Sequence, residues 1–132
     1  MHIVTSEQTS PQEDRPVILL VEDEALTIMD LGDVLEGGGY ETVQCASAER
    51  ALGLLQERPD ICGLITDVEL SGKTNGFELA NAVSAARPHL PIVIVSGRAA
   101  PDPERMPPGA RFIARPCTGE DILHQLKGLL PA

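Results

Sequence analysis

Aromatic residues are nearly absent from this chain. It has no tryptophan, one tyrosine and two phenylalanines among 132 residues. With 42% hydrophobic residues, the core must therefore be aliphatic, as in a Val/Ile/Leu sheet covered by Ala/Leu helices. Basic residues are also scarce. Ten Lys and Arg face twenty Asp and Glu, for a net charge of −10. That balance speaks against direct nucleic-acid binding, which wants a basic face. It suits solubility, a metal cation or a basic partner surface. The cysteines, Cys45, Cys62 and Cys117, are odd in number and form no CxxC pair. With Cys62 expected in a buried strand, they read as reduced packing thiols of a cytoplasmic protein. His2, His89 and His124 are scattered and suggest no zinc site. No apolar run approaches the roughly 20 residues of a membrane helix, and the first residues lack an apolar signal core.

What is present is an alternation. Residues 1–15 are polar and proline-containing and are expected to be a flexible extension without chemistry, ahead of one domain over 16–132. Val17 to Val21 is an all-apolar strand, followed at once by Glu22, Asp23 and Glu24. A helix follows from about Ala25 to Glu36, with Ile28, Leu31 and Leu35 on one face and three glycines to stop it. Glu41 to Ala46 alternates like a half-exposed edge strand. Ser47 caps a helix carrying Ala48, Ala51, Leu52 and Leu55, which Pro59 ends. Ile61 to Asp67 is a second buried strand, ending in a carboxylate. After a loop, Gly76 to Arg87 is a helix with Phe77, Ala80 and Val83 on its apolar side. Ile92 to Val95 is another strand, which Ser96 ends. The stretch from Gly97 to Gly109 contains Pro101, Pro103, Pro107 and Pro108, so a helix there is expected to be short or broken. Arg111 to Ala114 is the last strand. Thr118 and Asp121 open a final helix with Ile122, Leu126 and Leu129 facing inward.

Five strands alternating with four or five helices predict a doubly wound parallel sheet with helices on both faces. Parallel strands bring their C-terminal ends to one edge, where ligands bind in such sheets. Glu22 and Asp23, Asp67, Ser96 and Arg115 each follow a strand and converge there. Three carboxylates placed together repel, and a divalent cation relieves that repulsion. A small set of oxygen ligands suits Mg²⁺. A hydroxyl and a guanidinium beside a metal-bound carboxylate are what a phosphoryl group needs. Taken singly, each feature has a plainer reading. The acidic run suits a helix start, Ser96 a turn, Phe112 the core and Arg115 the surface. Their company favours the site.

Two other motifs fail. Gly72, Lys73 and Thr74 lack the glycine five residues earlier that a P-loop needs, since Asp67 stands there. Asp67 to Leu70 lacks the second aspartate and the turn of haloacid dehalogenases, so a small phosphohydrolase is disfavoured.

Over about Pro16 to the C-terminus, the sequence resembles the receiver domain of two-component response regulators. Val21, Glu22 and Asp23, then Thr66 and Asp67, then Ser96 and Gly97, then Phe112 to Pro116 carry the match. The resemblance implies a flavodoxin-like strand order 2-1-3-4-5. It makes Asp67 the phosphoacceptor, attacking a phosphohistidine of a sensor histidine kinase or histidine phosphotransfer protein. Glu22, Asp23, Asp67 and the Glu69 backbone carbonyl would hold Mg²⁺. Ser96 would move to the phosphoryl group, Gly97 would leave it room, and Phe112 would turn inward. Arg115 stands where the family has a lysine, and Pro116 follows it, often through a cis bond. The expected protein is a stand-alone signalling module, not an enzyme, acting through an unknown downstream protein. It would bind no membrane and be a monomer or weak homodimer.

Three departures from the family pattern stand out. Arg115 replaces lysine by a larger planar fork, which could clamp Asp67 and leave a phosphate-independent pseudo-receiver binding module. Glu69, two residues after the acceptor, could attract or block water. The proline-rich segment replaces a helix of the family's partner face.

Overall fold

The computed structural model describes residues 15–98 and 100–130. Apart from Arg15, the expected extension lies outside these residues. The strands are β1 (Val17–Val21), β2 (Glu41–Cys45), β3 (Ile61–Asp67), β4 (Ile92–Ser96) and β5 (Arg111–Ala114). They form one parallel sheet in the order β2-β1-β3-β4-β5. The helices are α1 (Ala25–Gly37), α2 (Ala48–Glu57), α3 (Gly76–Ala86) and α4 (Gly119–Leu129). The described residues contain no helix long and apolar enough to cross a membrane.

Strand alternation divides the core. Val17, Leu19, Val21, Leu64 and Ile94 face α2 and α3. Ile18, Leu20, Ile65, Val93 and Val95 face α1 and α4. β1 and β4 are buried along their whole length, as central parallel strands must be. The outer strands β2 and β5 are half-exposed.

Helix ends follow local chemistry. Ser47 Oγ accepts from Arg50 N–H, capping α2. Asn75 with Glu78, and Thr118 with Asp121, close reciprocal capping boxes on α3 and α4. α1 stops where Gly39 takes a positive φ of 101°. Gly76 is required for another reason: a Cβ there would sit 2.0 Å from the Asp67 carbonyl oxygen. The absent side chain lets α3 start directly beneath the end of β3, where Gly76 N–H donates to Val68 O at 2.9 Å.

Two expectations need correction. Cys62 is half-buried rather than buried, because it lies in a groove with Tyr40, Pro91 and Leu129 at the N-terminal edge of the sheet. On α4 the buried residues are Ile122, Leu123 and Leu126, while Leu129 is only half-buried at the helix end.

Between β4 and β5 the described residues form turns and no helix, as proline spacing requires. The segment is nevertheless anchored. Asn81 Nδ2 donates to Arg105 O at 2.6 Å and to Phe77 O at 2.9 Å. The Arg105 guanidinium lies 4.5 Å from the Phe77 ring centroid. Met106 packs on the same core.

Candidate phosphoryl-acceptor site

Register sets the site. Val21 pairs with Thr66, so Glu22 lies level with Asp67 on the neighbouring strand. Asp67 pairs with Val95, which puts Ser96 one step beyond. Ser96 pairs with Ala114, and Arg115 N–H donates to Ser96 O at 2.8 Å, continuing the ladder. Arg115 thus starts two strands from Asp67 and reaches it by the length of its side chain.

Glu22 and Asp67 are buried, at 6% and 7% exposure, while Asp23 is exposed. Glu22, Asp23 and Asp67 each offer an oxygen within 4.8 Å of the others. Glu22 Oε2 accepts from Glu24 N–H at 3.1 Å. Asp23 Oδ2 accepts from Ser71 N–H at 3.0 Å, tying the loop after β3 to the acidic group. Arg115 bridges the two buried carboxylates: Nη1 donates to Asp67 Oδ1 at 3.1 Å and Nη2 to Glu22 Oε1 at 2.9 Å.

Burial, reinforced by the Asp67 charge, pushes the Glu22 carboxyl up to about 6. Burial also raises Asp67, with Glu69 adding to it and Arg115 opposing it. Arg115 is raised in turn: burial opposes its charge, and the two carboxylates more than offset it. One guanidinium does not neutralise three carboxylates, and the excess charge is what a hard divalent cation would take up. The donor set, three carboxylate oxygens at one edge, fits Mg²⁺.

Ser96 is buried, and its Oγ donates to Glu69 Oε2 at 2.5 Å while accepting from Arg98 N–H at 3.1 Å. Gly97 N–H donates to Glu69 Oε1 at 3.2 Å. A Cβ on Gly97 would meet Arg115 Cβ only at 3.9 Å, so Arg115 does not itself demand glycine there. Pro116 follows Arg115 through a cis peptide bond. Phe112 lies on the sheet face shared with α2 and α3. Its ring stacks on Phe77, with centroids 6.3 Å apart and planes 13° apart.

The edge therefore gathers Glu22, Asp23, Asp67, Glu69, Ser96, Gly97 and Arg115, with Phe112 half-buried against the core behind it. The sequence did not disclose the double engagement of Glu69 with Ser96 and Gly97, the Ser71 tie, or Arg105 over Phe77. A carboxylate two residues beyond Asp67 was the available signal for the first. The others depend on loop paths.

The family model for the response regulator receiver domain matches residues 18–127. The response regulator protein FleR of Pseudomonas aeruginosa is 34% identical over 109 residues, covering 80% of this chain and 23% of FleR. The polar-differentiation response regulator DivK of Brucella ovis is 28% identical over 119 residues, covering 86% of this chain and 94% of DivK. The chain spans about a quarter of the length of FleR and of AlgB, the alginate biosynthesis transcriptional regulatory protein of Pseudomonas putida. Among solved structures, a response regulator receiver protein from Sinorhizobium medicae superposes with a TM-score of 0.84 at 25% identity, covering 89% of this chain and 95% of that one. Sheet order, strand-end residues and sequence agree: this chain belongs to the response regulator receiver domain family.

Proposed function

We propose that the chain is the phosphoacceptor of a two-component relay, taking a phosphoryl group on Asp67 in a Mg²⁺-dependent reaction. The observation that carries this reading is the placement of Asp67: it is buried, ends a central strand, and shares one edge with Glu22 and Asp23 at ligand spacing. An Asp67 carboxylate oxygen attacks phosphorus, the O–P bond forms, and the P–N bond to the donor imidazole breaks. The imidazole leaves with the electron pair and takes up a proton. Glu22, Asp23 and Asp67, with the Glu69 carbonyl, would hold the Mg²⁺, which supplies charge neutralisation at the phosphoryl oxygens. Ser96 and Gly97 donate hydrogen bonds to the transferred group, and Arg115 offers two further N–H donors. Phe112, stacked on Phe77, is the residue through which a change at the end of β4 would reach the face formed by β4 and β5. Pro116 sets the turn that carries Arg115.

The donor is a sensor histidine kinase or a histidine phosphotransfer protein in the cytoplasm. The output is a protein contact by a monomer or weak homodimer, with no turnover of a substrate, and the acidic balance of −10 speaks against direct nucleic-acid contact.

A second reading has one observation in its favour. Arg115 already binds both buried carboxylates, as a phosphate-independent binding module would need. Intact-mass analysis after incubation with acetyl phosphate and Mg²⁺ separates the two. One phosphate added to the parent and none to Asp67→Asn supports the acceptor. No adduct, together with no Mg²⁺ heat in titration calorimetry, would establish the pseudo-receiver.

A further inference from the structure

A transferred phosphoryl group needs hydrogen-bond donors for its oxygens beside the acceptor. Two donors at the end of β4 are already engaged by an anion that belongs to the chain. The Glu69 carboxylate lies across them in a forked geometry: Oε2 takes the Ser96 hydroxyl at 2.5 Å and Oε1 takes Gly97 N–H at 3.2 Å. Both donors come from consecutive residues of one strand end. Ser96 is buried, so its hydroxyl direction is restricted. Both oxygens of one carboxylate are used, each by a different donor. This is how a pre-organised oxyanion seat holds its ligand. The loop that delivers Glu69 is itself held down, by Leu70 N–H on Val68 O at 3.0 Å and Ser71 N–H on Asp23 at 3.0 Å.

We propose that Glu69 is a resident surrogate for the phosphoryl group, occupying the Ser96–Gly97 anion seat, and that phosphorylation of Asp67 proceeds by displacing its carboxylate. The inference rests on the phosphoacceptor reading of Asp67. Two consequences follow from it. Ser96 is held toward the site before any phosphate arrives, so the moving part is the Glu69 side chain leaving and not Ser96 arriving. The rate of phosphoryl acceptance is set by how readily that carboxylate vacates the seat.

Reach and charge can be told apart. Glu69→Asp keeps the charge but is shorter by one methylene, and its carboxylate falls short of Ser96. Glu69→Gln keeps the length without the charge, and Glu69→Ala removes both. Acetyl phosphate with Mg²⁺ is the probe. Asp67 Oδ–P forms, the bond from phosphorus to the acetyl oxygen breaks, and acetate leaves. All three variants should form the Asp67 adduct about tenfold faster than the parent, the scale expected when a charge-assisted hydrogen bond no longer has to be broken first. In the metal-free, unphosphorylated proteins, the Gly97 amide proton should move upfield in Glu69→Asp and Glu69→Ala, which reports the seat without any chemistry. A dispersed amide spectrum confirms that each variant is folded. Glu69→Asp reacting at the parental rate while Glu69→Ala is fast would mean that charge alone acts, and would overturn the surrogate. Equal rates in all four proteins would also overturn it and leave the acceptor reading standing. Absence of an adduct in all four would overturn the acceptor reading, and this inference with it.

Discussion

Arg115 and Asp67 are joined across an intervening strand, Nη1 to Oδ1 at 3.1 Å, while the other arm of the same guanidinium reaches Glu22 at 2.9 Å. A fork can bridge two carboxylates in this way, whereas an ammonium concentrates its charge at one point. Arg115→Lys should therefore loosen the bridge and tighten Mg²⁺ binding, about three- to tenfold by titration calorimetry. In the metal-free protein Arg115→Ala should lower unfolding free energy by about 1–3 kcal/mol, because two buried carboxylates lose a charged donor. Urea denaturation measures this. Tighter Mg²⁺ binding in the parent than in Arg115→Lys would contradict the bridging role.

Glu22 gives the metal-free protein an inverted acid response. Its carboxyl is pushed from an ordinary 4.5 up to about 6 by burial and by Asp67. Between those values the folded state holds more protons than the unfolded one, so stability rises as pH falls from about 6 toward 4.5. Above pH 6 the destabilisation is complete, on the order of 1–2 kcal/mol. Asp67 is shifted the same way and adds to the trend. Asp60 and Asp121 are shifted downward, so their losses fall below the ordinary aspartate value of 3.8, outside this window. Urea titrations at pH 5 and pH 7 should show the metal-free parent more stable at pH 5. Glu22→Gln should flatten the difference, and saturating Mg²⁺ should reverse it by favouring the charged carboxylates.

Asn81 anchors the proline-rich segment through the carbonyl of Arg105. Asn81→Ala should cost about 1 kcal/mol and expose residues 100–110 to limited proteolysis while the sheet remains protected. Arg105→Ala, which uncovers Phe77, should have a smaller thermodynamic effect of about 0.5–1 kcal/mol. It should produce the same cleavage pattern. Unchanged cleavage in both variants would show that proline stiffness alone holds the segment.

Arg87 serves a different end of the molecule. Its guanidinium donates to the carbonyls of Leu55, Arg58 and Ile61, at 2.6, 3.2 and 2.6 Å. It ties the exit of α2 to the start of β3. Arg87→Met keeps the aliphatic stem and should still lose about 2–3 kcal/mol, because carbonyls are left without a charged donor. Asp67 lies at the opposite end of β3. Phosphoryl acceptance by the folded fraction should therefore stay at the parental rate in the acetyl phosphate assay.

Gly76→Ala is the most damaging single methyl in the site. Its Cβ would fall 2.0 Å from the Asp67 carbonyl oxygen, a backbone atom that cannot swing aside. The expected loss is about 3 kcal/mol or more, with collapse of Mg²⁺ binding even in the folded fraction. Retention of parental Mg²⁺ affinity would show that α3 can slide without disturbing β3.

The apolar runs at residues 17–21, 61–65 and 92–95 were legible because a strand buried on both faces favours apolar side chains along its length. Alternation of those runs with amphipathic helices dictated parallel pairing, and parallel pairing dictated that Glu22, Asp67, Ser96 and Arg115 share one edge. Proline spacing likewise forbade a regular helix before β5. These are local or topological constraints, carried by residue type and order. Tertiary structure alone decided where charges at that edge find their partners. Glu69 could have faced solvent, and Arg115 could have lain on the surface. Each turned inward because a buried hydroxyl, amide or carboxylate was within reach of its side chain. The half-burial of Cys62 and the seating of Arg105 on Phe77 were settled in the same way, by neighbours distant in the chain. Pattern follows from the sequence because burial is periodic. Pairing does not, because it depends on distances that exist only after the chain has closed on itself.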